Sequence, residues 1–90
     1  MKARSLKVPN KLGIHARPAA LIVRKASEYQ SEVFISNGTD EVNAKSIMGV
    51  MTLAAAGGTT ITVSTEGPDE DAALEGVCGV VESGFGEEML

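Results

Sequence analysis

The apolar residues of this chain repeat at two different periods, and each switch between them falls at a turn or cap signal, which limits the fold to a short interleaved set of strands and helices. Arg4, Leu6 and Val8 alternate along a first strand that Pro9-Asn10 ends. Ala16, Ala19, Ile22, Val23 and Ala26 then recur at helical spacing, with Arg17, Arg24 and Glu28 on the other side. Pro18 fits because the first turn of a helix makes no use of its missing N–H. Val33 and Ile35 mark one face of a strand over Glu32–Ser36, Asn37-Gly38 supplies a hairpin turn, and residues 40–43 return. Ser46 precedes a short apolar helix over residues 47–53, which Gly57-Gly58 follows. Residues 59–65 are β-branched with Ile61 and Val63 on the buried side. Gly67-Pro68-Asp69-Glu70-Asp71 opens a last helix with acidic residues where the dipole favours them; Leu74, Val77, Cys78 and Val81 form its apolar stripe, and Gly84 closes it.

The order is therefore β-α-β-β-α-β-α. Hairpin and short connections argue for an α+β fold, an open antiparallel sheet of four strands with three helices on one face. Gly76 and Gly79 weaken the last helix, and a close approach to the sheet is one reason for glycine there.

Ninety residues allow one domain with a modest core. No apolar run is long enough to span a membrane, and residues 1–7 lack the continuous apolar stretch of a signal peptide, so a cytoplasmic protein is expected. One cysteine and one histidine cannot furnish a four-ligand zinc site, and no metal or other cofactor is expected. The net charge of −4 hides a sorting of charge: all eight basic residues precede residue 46, and eight of the twelve acidic ones fall from Glu66 onward. His15 lies in the basic part, which suits either an acidic protein partner or a phosphate ligand, or else is a solvated surface. An acidic balance with three aromatic residues argues against nucleic acid.

Residues 10–20 concentrate the chemistry. A lone histidine is ordinarily a surface residue or a cap, but His15 immediately precedes a helix start and stands two residues before Arg17. Unpaired N–H groups, the positive end of the helix dipole and a guanidinium can together hold an anion against the ring. The segment Gly13-Ile14-His15-Ala16-Arg17-Pro18-Ala19 resembles the active-site motif of HPr, the histidine-containing phosphocarrier family of the bacterial phosphoenolpyruvate-dependent sugar phosphotransferase system. Lys45-Ser46-Ile47-Met48-Gly49-Val50-Met51 is similar to the regulatory serine segment of the same family. The resemblance spans nearly the whole chain and implies an open-faced β-sandwich in a single domain over residues 1–90.

It also implies a mechanism. Nδ1 of His15 accepts a phosphoryl group, Arg17 neutralises its charge, and the backbone N–H groups of Ala16 and Arg17 are further donors. HPr sequences often have threonine where this chain has Ala16. With no phosphate-binding glycine loop and no carboxylate cluster for magnesium foreseen beside His15, a larger enzyme must supply the phosphoryl group. The resemblance names enzyme I as donor and the enzyme IIA components of sugar permeases as acceptors. It makes Ser46 the target of an HPr kinase/phosphorylase, with a transcriptional regulator as a further partner. From local sequence Ser46 is an ordinary N-cap, a role compatible with phosphorylation. Ile47, Met48 and Met51 exceed what so short a helix can bury, and with Ala20 they are the expected docking patch. Cys78 reads as a small core residue, Asn10, Leu12 and Gly13 as the shapers of the loop before His15. A monomer is expected, with no turnover of its own. Two rivals stay open: a regulatory paralogue in a nitrogen-related phosphorelay, and a binding co-regulator controlled through Ser46.

Overall fold

In the computed structural model, which describes residues 1–90, the chain runs β1 (Lys2–Lys7), α1 (Ala16–Ala26), β2 (Glu32–Ser36), β3 (Glu41–Asn43), α2 (Ile47–Thr52), β4 (Thr60–Glu66), α3 (Glu70–Glu82) and a single 3-10 turn, Gly84–Gly86. The strands form one antiparallel sheet in the order β1-β4-β2-β3. β4, whose alternate residues Ile61, Val63 and Thr65 are buried, pairs with β1 on one side and β2 on the other. Its β-branched side chains suit a pleated surface covered on one face. Ser5 and Thr62, on the opposite face, share a hydroxyl hydrogen bond of 2.9 Å.

The helices supply the other half of the core. α1 buries Pro18, Ala19, Ile22 and Ala26, and α3 buries Ala73, Leu74, Val77, Cys78 and Val81. Val23 is only half-buried, and Ala16, counted above with the apolar side, is exposed at the first position of α1. α2 buries Val50 alone, with Leu53 buried just beyond it. Burial raises the pKa of the Cys78 thiol, as expected of a small apolar core residue.

One local reading changes. Gly76 does not answer an approach to the sheet: a side chain there would collide with the hydroxyl of Tyr29, beyond the end of α1, and Gly79 faces open space. Asp69 precedes α3 but makes no side-chain cap there. Its carboxylate instead accepts hydrogen bonds from the backbone N–H groups of Gln30 (3.0 Å) and Ser31 (2.9 Å) and from the Ser31 hydroxyl, tying the loop after α1 to the start of α3.

At the end of the chain α3 stops at Glu82 with Ser83 as its C-cap, and Gly84 closes it as expected, with φ 70°. Phe85 and Gly86 follow with positive φ as well, at 60° and 72°. That reversal sends residues 87–90 back along residues 9–11. Lys11 donates its N–H to the carbonyl of Glu88 and Leu90 donates to that of Pro9, each at 2.9 Å, and Asn10 and Met89 form an isolated antiparallel bridge. The ring of Phe85 is buried and fastens the turn to the core.

Candidate functional site

His15 is the N-cap of α1 and has extended backbone, φ −93° and ψ −165°. Its carbonyl accepts the first helical hydrogen bond, from Ala19 at 2.9 Å, while its side chain makes no cap bond. The ring is thus free to face outward at the helix start. The loop that carries it is fixed from behind. Ile14 donates its N–H to the carbonyl of Ala55 at 2.8 Å, and Gly13 has φ 74°. A Cβ at Gly13 would collide with the backbone of Ala55 and Ala56, so both conformation and space require glycine.

Ala16 and Arg17 are the first two residues of α1, so their N–H groups precede its hydrogen-bond ladder. The guanidinium of Arg17 donates to the carbonyl of Phe85 at 2.6 Å and to Oε2 of Glu87 at 3.3 Å. The ring of His15, 40% exposed, places Nε2 between the two carboxylate oxygens of Glu87, 3.0 Å from Oε1 and 2.9 Å from Oε2. Buried Asn10 holds that carboxylate from below, donating through Nδ2 to Glu87 Oε1 at 3.0 Å and to the Gly13 carbonyl at 2.8 Å.

A carboxylate therefore stands beside His15, where none was foreseen. Hydrogen bonding from the His15 ring, and next to it from Asn10 and Arg17, holds the Glu87 carboxyl below the usual carboxylate range against the opposing effect of partial burial. An ionised carboxylate only accepts, so in the neutral ring the proton sits on Nε2 and Nδ1, which has no hydrogen-bond partner in the protein, keeps its lone pair. The arrangement presents a nucleophilic nitrogen next to unpaired N–H groups and a cation.

Glu87 and the Phe85 carbonyl were missed in the sequence because no spacing rule links residue 15 to residue 87; Asn10 was read as a shaper of the loop, and its bond to the Gly13 carbonyl fits that, but its hold on Glu87 was not foreseen. The sorting of charge was the available signal. Acidic residues of the last third pair with basic ones of the first: Arg4 with Glu75, Lys2 with Asp71, Lys11 with Glu88, and Arg17 with Glu87. The basic half is thus partly neutralised by the chain itself.

The other expected site residues sit on α2 and the face of α1. Ser46 is the N-cap of α2 and accepts a hydrogen bond from the N–H of Gly49 at 3.1 Å. Ile47, Met48 and Met51 are exposed, Met48 by 75%. Ala20 is half-exposed on α1, which packs against α2. Leu12, in the loop before His15, is also largely exposed.

The family model described as the PTS HPr component phosphorylation site matches residues 2–83. The phosphocarrier protein HPr of Treponema pallidum is 47% identical over 88 residues, covering 98% of this chain and all of that one. The HPr-like protein Crh of Halalkalibacterium halodurans is 48% identical over 82 residues, covering 91% of this chain and 98% of its own. Among solved structures, an HPr of Thermoanaerobacter tengcongensis superimposes with a TM-score of 0.93 at 44% identity, covering 99% of this chain and 100% of the other. On the fold and on this similarity the chain belongs to the HPr family of phosphocarrier proteins of the phosphotransferase system.

Proposed function

We propose that this chain accepts a phosphoryl group on Nδ1 of His15 from phosphorylated enzyme I and passes it to enzyme IIA components of sugar permeases, in the cytoplasm. The observation that carries this reading is the unpartnered Nδ1 at the start of α1, next to Arg17 and the free N–H groups of Ala16 and Arg17. The lone pair of Nδ1 attacks phosphorus in line as the bond to the donor breaks and its electron pair leaves with the donor. Arg17 neutralises the phosphoryl oxygens, and an exposed ring meets donor and acceptor in turn.

Ser46 is the control point. Phosphate at an N-cap is compatible with the helix, so phosphorylation by an HPr kinase/phosphorylase adds about two negative charges next to the exposed residues of α2 without unfolding it. An acidic partner docking over Ala20, Ile47, Met48 and Met51 is then repelled. The likeness to Crh supports a second reading, a co-regulator acting through phosphorylated Ser46 on a transcriptional regulator, whereas the geometry at His15 favours the carrier. Transfer needs one copy of the chain; since solved relatives include HPr and Crh dimers, sedimentation at micromolar concentration is the check on a monomer.

Intact mass after incubation with phosphoenolpyruvate and a competent enzyme I tests the carrier reading. One acid-labile phosphate on the native chain, absent from His15→Ala, is the expected result. No uptake by the native chain would sink it, and ATP-dependent phosphorylation at Ser46 alone would favour the co-regulator.

A further inference from the structure

The geometry points to Glu87 as the positioning residue of the site: its carboxylate fixes the ring proton of His15 on Nε2, leaves the Nδ1 lone pair to attack phosphorus, and keeps Arg17 beside the ring. This deepens the phosphocarrier reading and rests on it.

Three observations place the carboxylate there rather than merely near. Both oxygens lie within hydrogen-bond distance of Nε2, at 3.0 and 2.9 Å. Its own position is fixed by the buried Nδ2 of Asn10 at 3.0 Å, and the Glu87 side chain is only 16% exposed although it lies three residues before Leu90. Backbone pairing of residues 88–90 with residues 9–11 holds the segment independently of the carboxylate. The segment is therefore a strap that delivers one acceptor to the far side of the ring. A carboxylate in that place orients imidazole in one tautomer.

The step balances without a proton leaving His15. Nδ1 gains the bond to phosphorus, the donor keeps the electron pair of the bond that breaks, and Nε2–H stays on Glu87. The ring becomes positively charged in the transfer, and the carboxylate next to Nε2–H offsets that charge where it develops. Onward transfer reverses both changes.

The test compares the full chain with Glu87→Gln, Glu87→Leu and Glu88→Gln. Glu88 carries the control because its carboxylate meets Lys11 at 3.4 Å, not His15. Imidazole 15N shifts of the unphosphorylated protein, taken at about pH 9 where an ordinary imidazole is neutral, report the tautomer directly. The native chain and Glu88→Gln should show Nδ1 unprotonated and Nε2 protonated. Glu87→Gln, whose amide can accept or donate, should show a mixture. Phosphoryl uptake from enzyme I should slow on the order of tenfold in both Glu87 variants and stay at the native rate in Glu88→Gln. An unchanged 15N pattern in Glu87→Gln, or rates within about twofold of native in both variants, overturns the proposal. Should Glu87→Leu not fold, the isosteric Glu87→Gln decides alone. A native chain that takes up no phosphoryl group from a competent enzyme I instead brings down the phosphocarrier reading, and the positioning role with it; that failure is distinguishable because it appears before any substitution is made.

Discussion

The Arg17 guanidinium donates to the carbonyl oxygen of Phe85 at 2.6 Å, joining the first turn of α1 to a residue with left-handed backbone. The positive φ of Phe85 aims that carbonyl at the site while its ring stays in the core. One arm of the guanidinium is thereby held, and the same nitrogen also meets the carboxylate that contacts His15.

Arg17→Lys keeps the charge but loses the planar fork that can hold the Phe85 carbonyl and a phosphoryl oxygen together. A charge-assisted hydrogen bond is worth about 1.5–3 kcal/mol, which corresponds to a loss of roughly tenfold to a hundredfold in phosphoryl uptake. Stopped-flow transfer from enzyme I to native and Arg17→Lys chains gives the ratio; equal rates would remove Arg17 from the transfer step.

The parts of the fold readable in the sequence were those set by local rules. Alternation in β2 and β4, the Asn37-Gly38 turn and the Ser46 cap each depend on a few neighbouring residues, and each is found close to its expected place. His15 at the start of α1 was legible for the same reason. What stayed hidden were contacts between distant segments. The Glu87 carboxylate at His15, the use of Asp69 against Gln30 and Ser31, and the Tyr29 hydroxyl over Gly76 all follow from three-dimensional packing, which no period in the sequence encodes.

Ser46→Ala should lower stability without touching the core. It removes the acceptor for the Gly49 N–H in a helix of six residues, and loss of such a cap costs about 1 kcal/mol. For a domain of this size that is a fall in Tm of about 4–8 °C. Ser46→Asp retains an acceptor and a favourable charge at the helix start, so its Tm should stay near native while its affinity for an acidic partner falls. Calorimetry and titration of the two variants separate the cap from the charge effect, and an equal Tm loss in both would contradict it.

Asp69 makes stability depend on acid. The Ser31 hydroxyl and then the Gln30 N–H hold its carboxyl below the usual carboxylate range, with the Ser31 N–H adding to them and partial burial opposing. The folded-state pKa is therefore depressed, and the stabilisation is fully present above the ordinary aspartate value of about 4 and lost as pH falls through the lower folded value. Asp69→Asn should melt below native at neutral pH, and the gap should close as pH drops through that window. A gap that stays constant from neutral to about pH 2 would show that the carboxylate charge is not what ties this loop down.

The two glycines of α3 should respond oppositely to alanine. At Gly79 a Cβ meets nothing within 4 Å, so Gly79→Ala gains helix propensity alone, about 1 kcal/mol, and Tm should rise by about 4–8 °C. At Gly76 the same Cβ would collide with the Tyr29 hydroxyl and press on Lys25 Cε at 3.1 Å, so Tyr29 must swing away from α3 and its packing is lost. Gly76→Ala should therefore fall below Gly79→Ala by at least about 1 kcal/mol. The double variant Gly76→Ala/Tyr29→Ala identifies the cause. With the ring already absent, the alanine meets no hydroxyl, and its effect relative to Tyr29→Ala should become stabilising. A Gly76→Ala penalty of the same size in both backgrounds would place the strain in the helix and not in its contact with Tyr29.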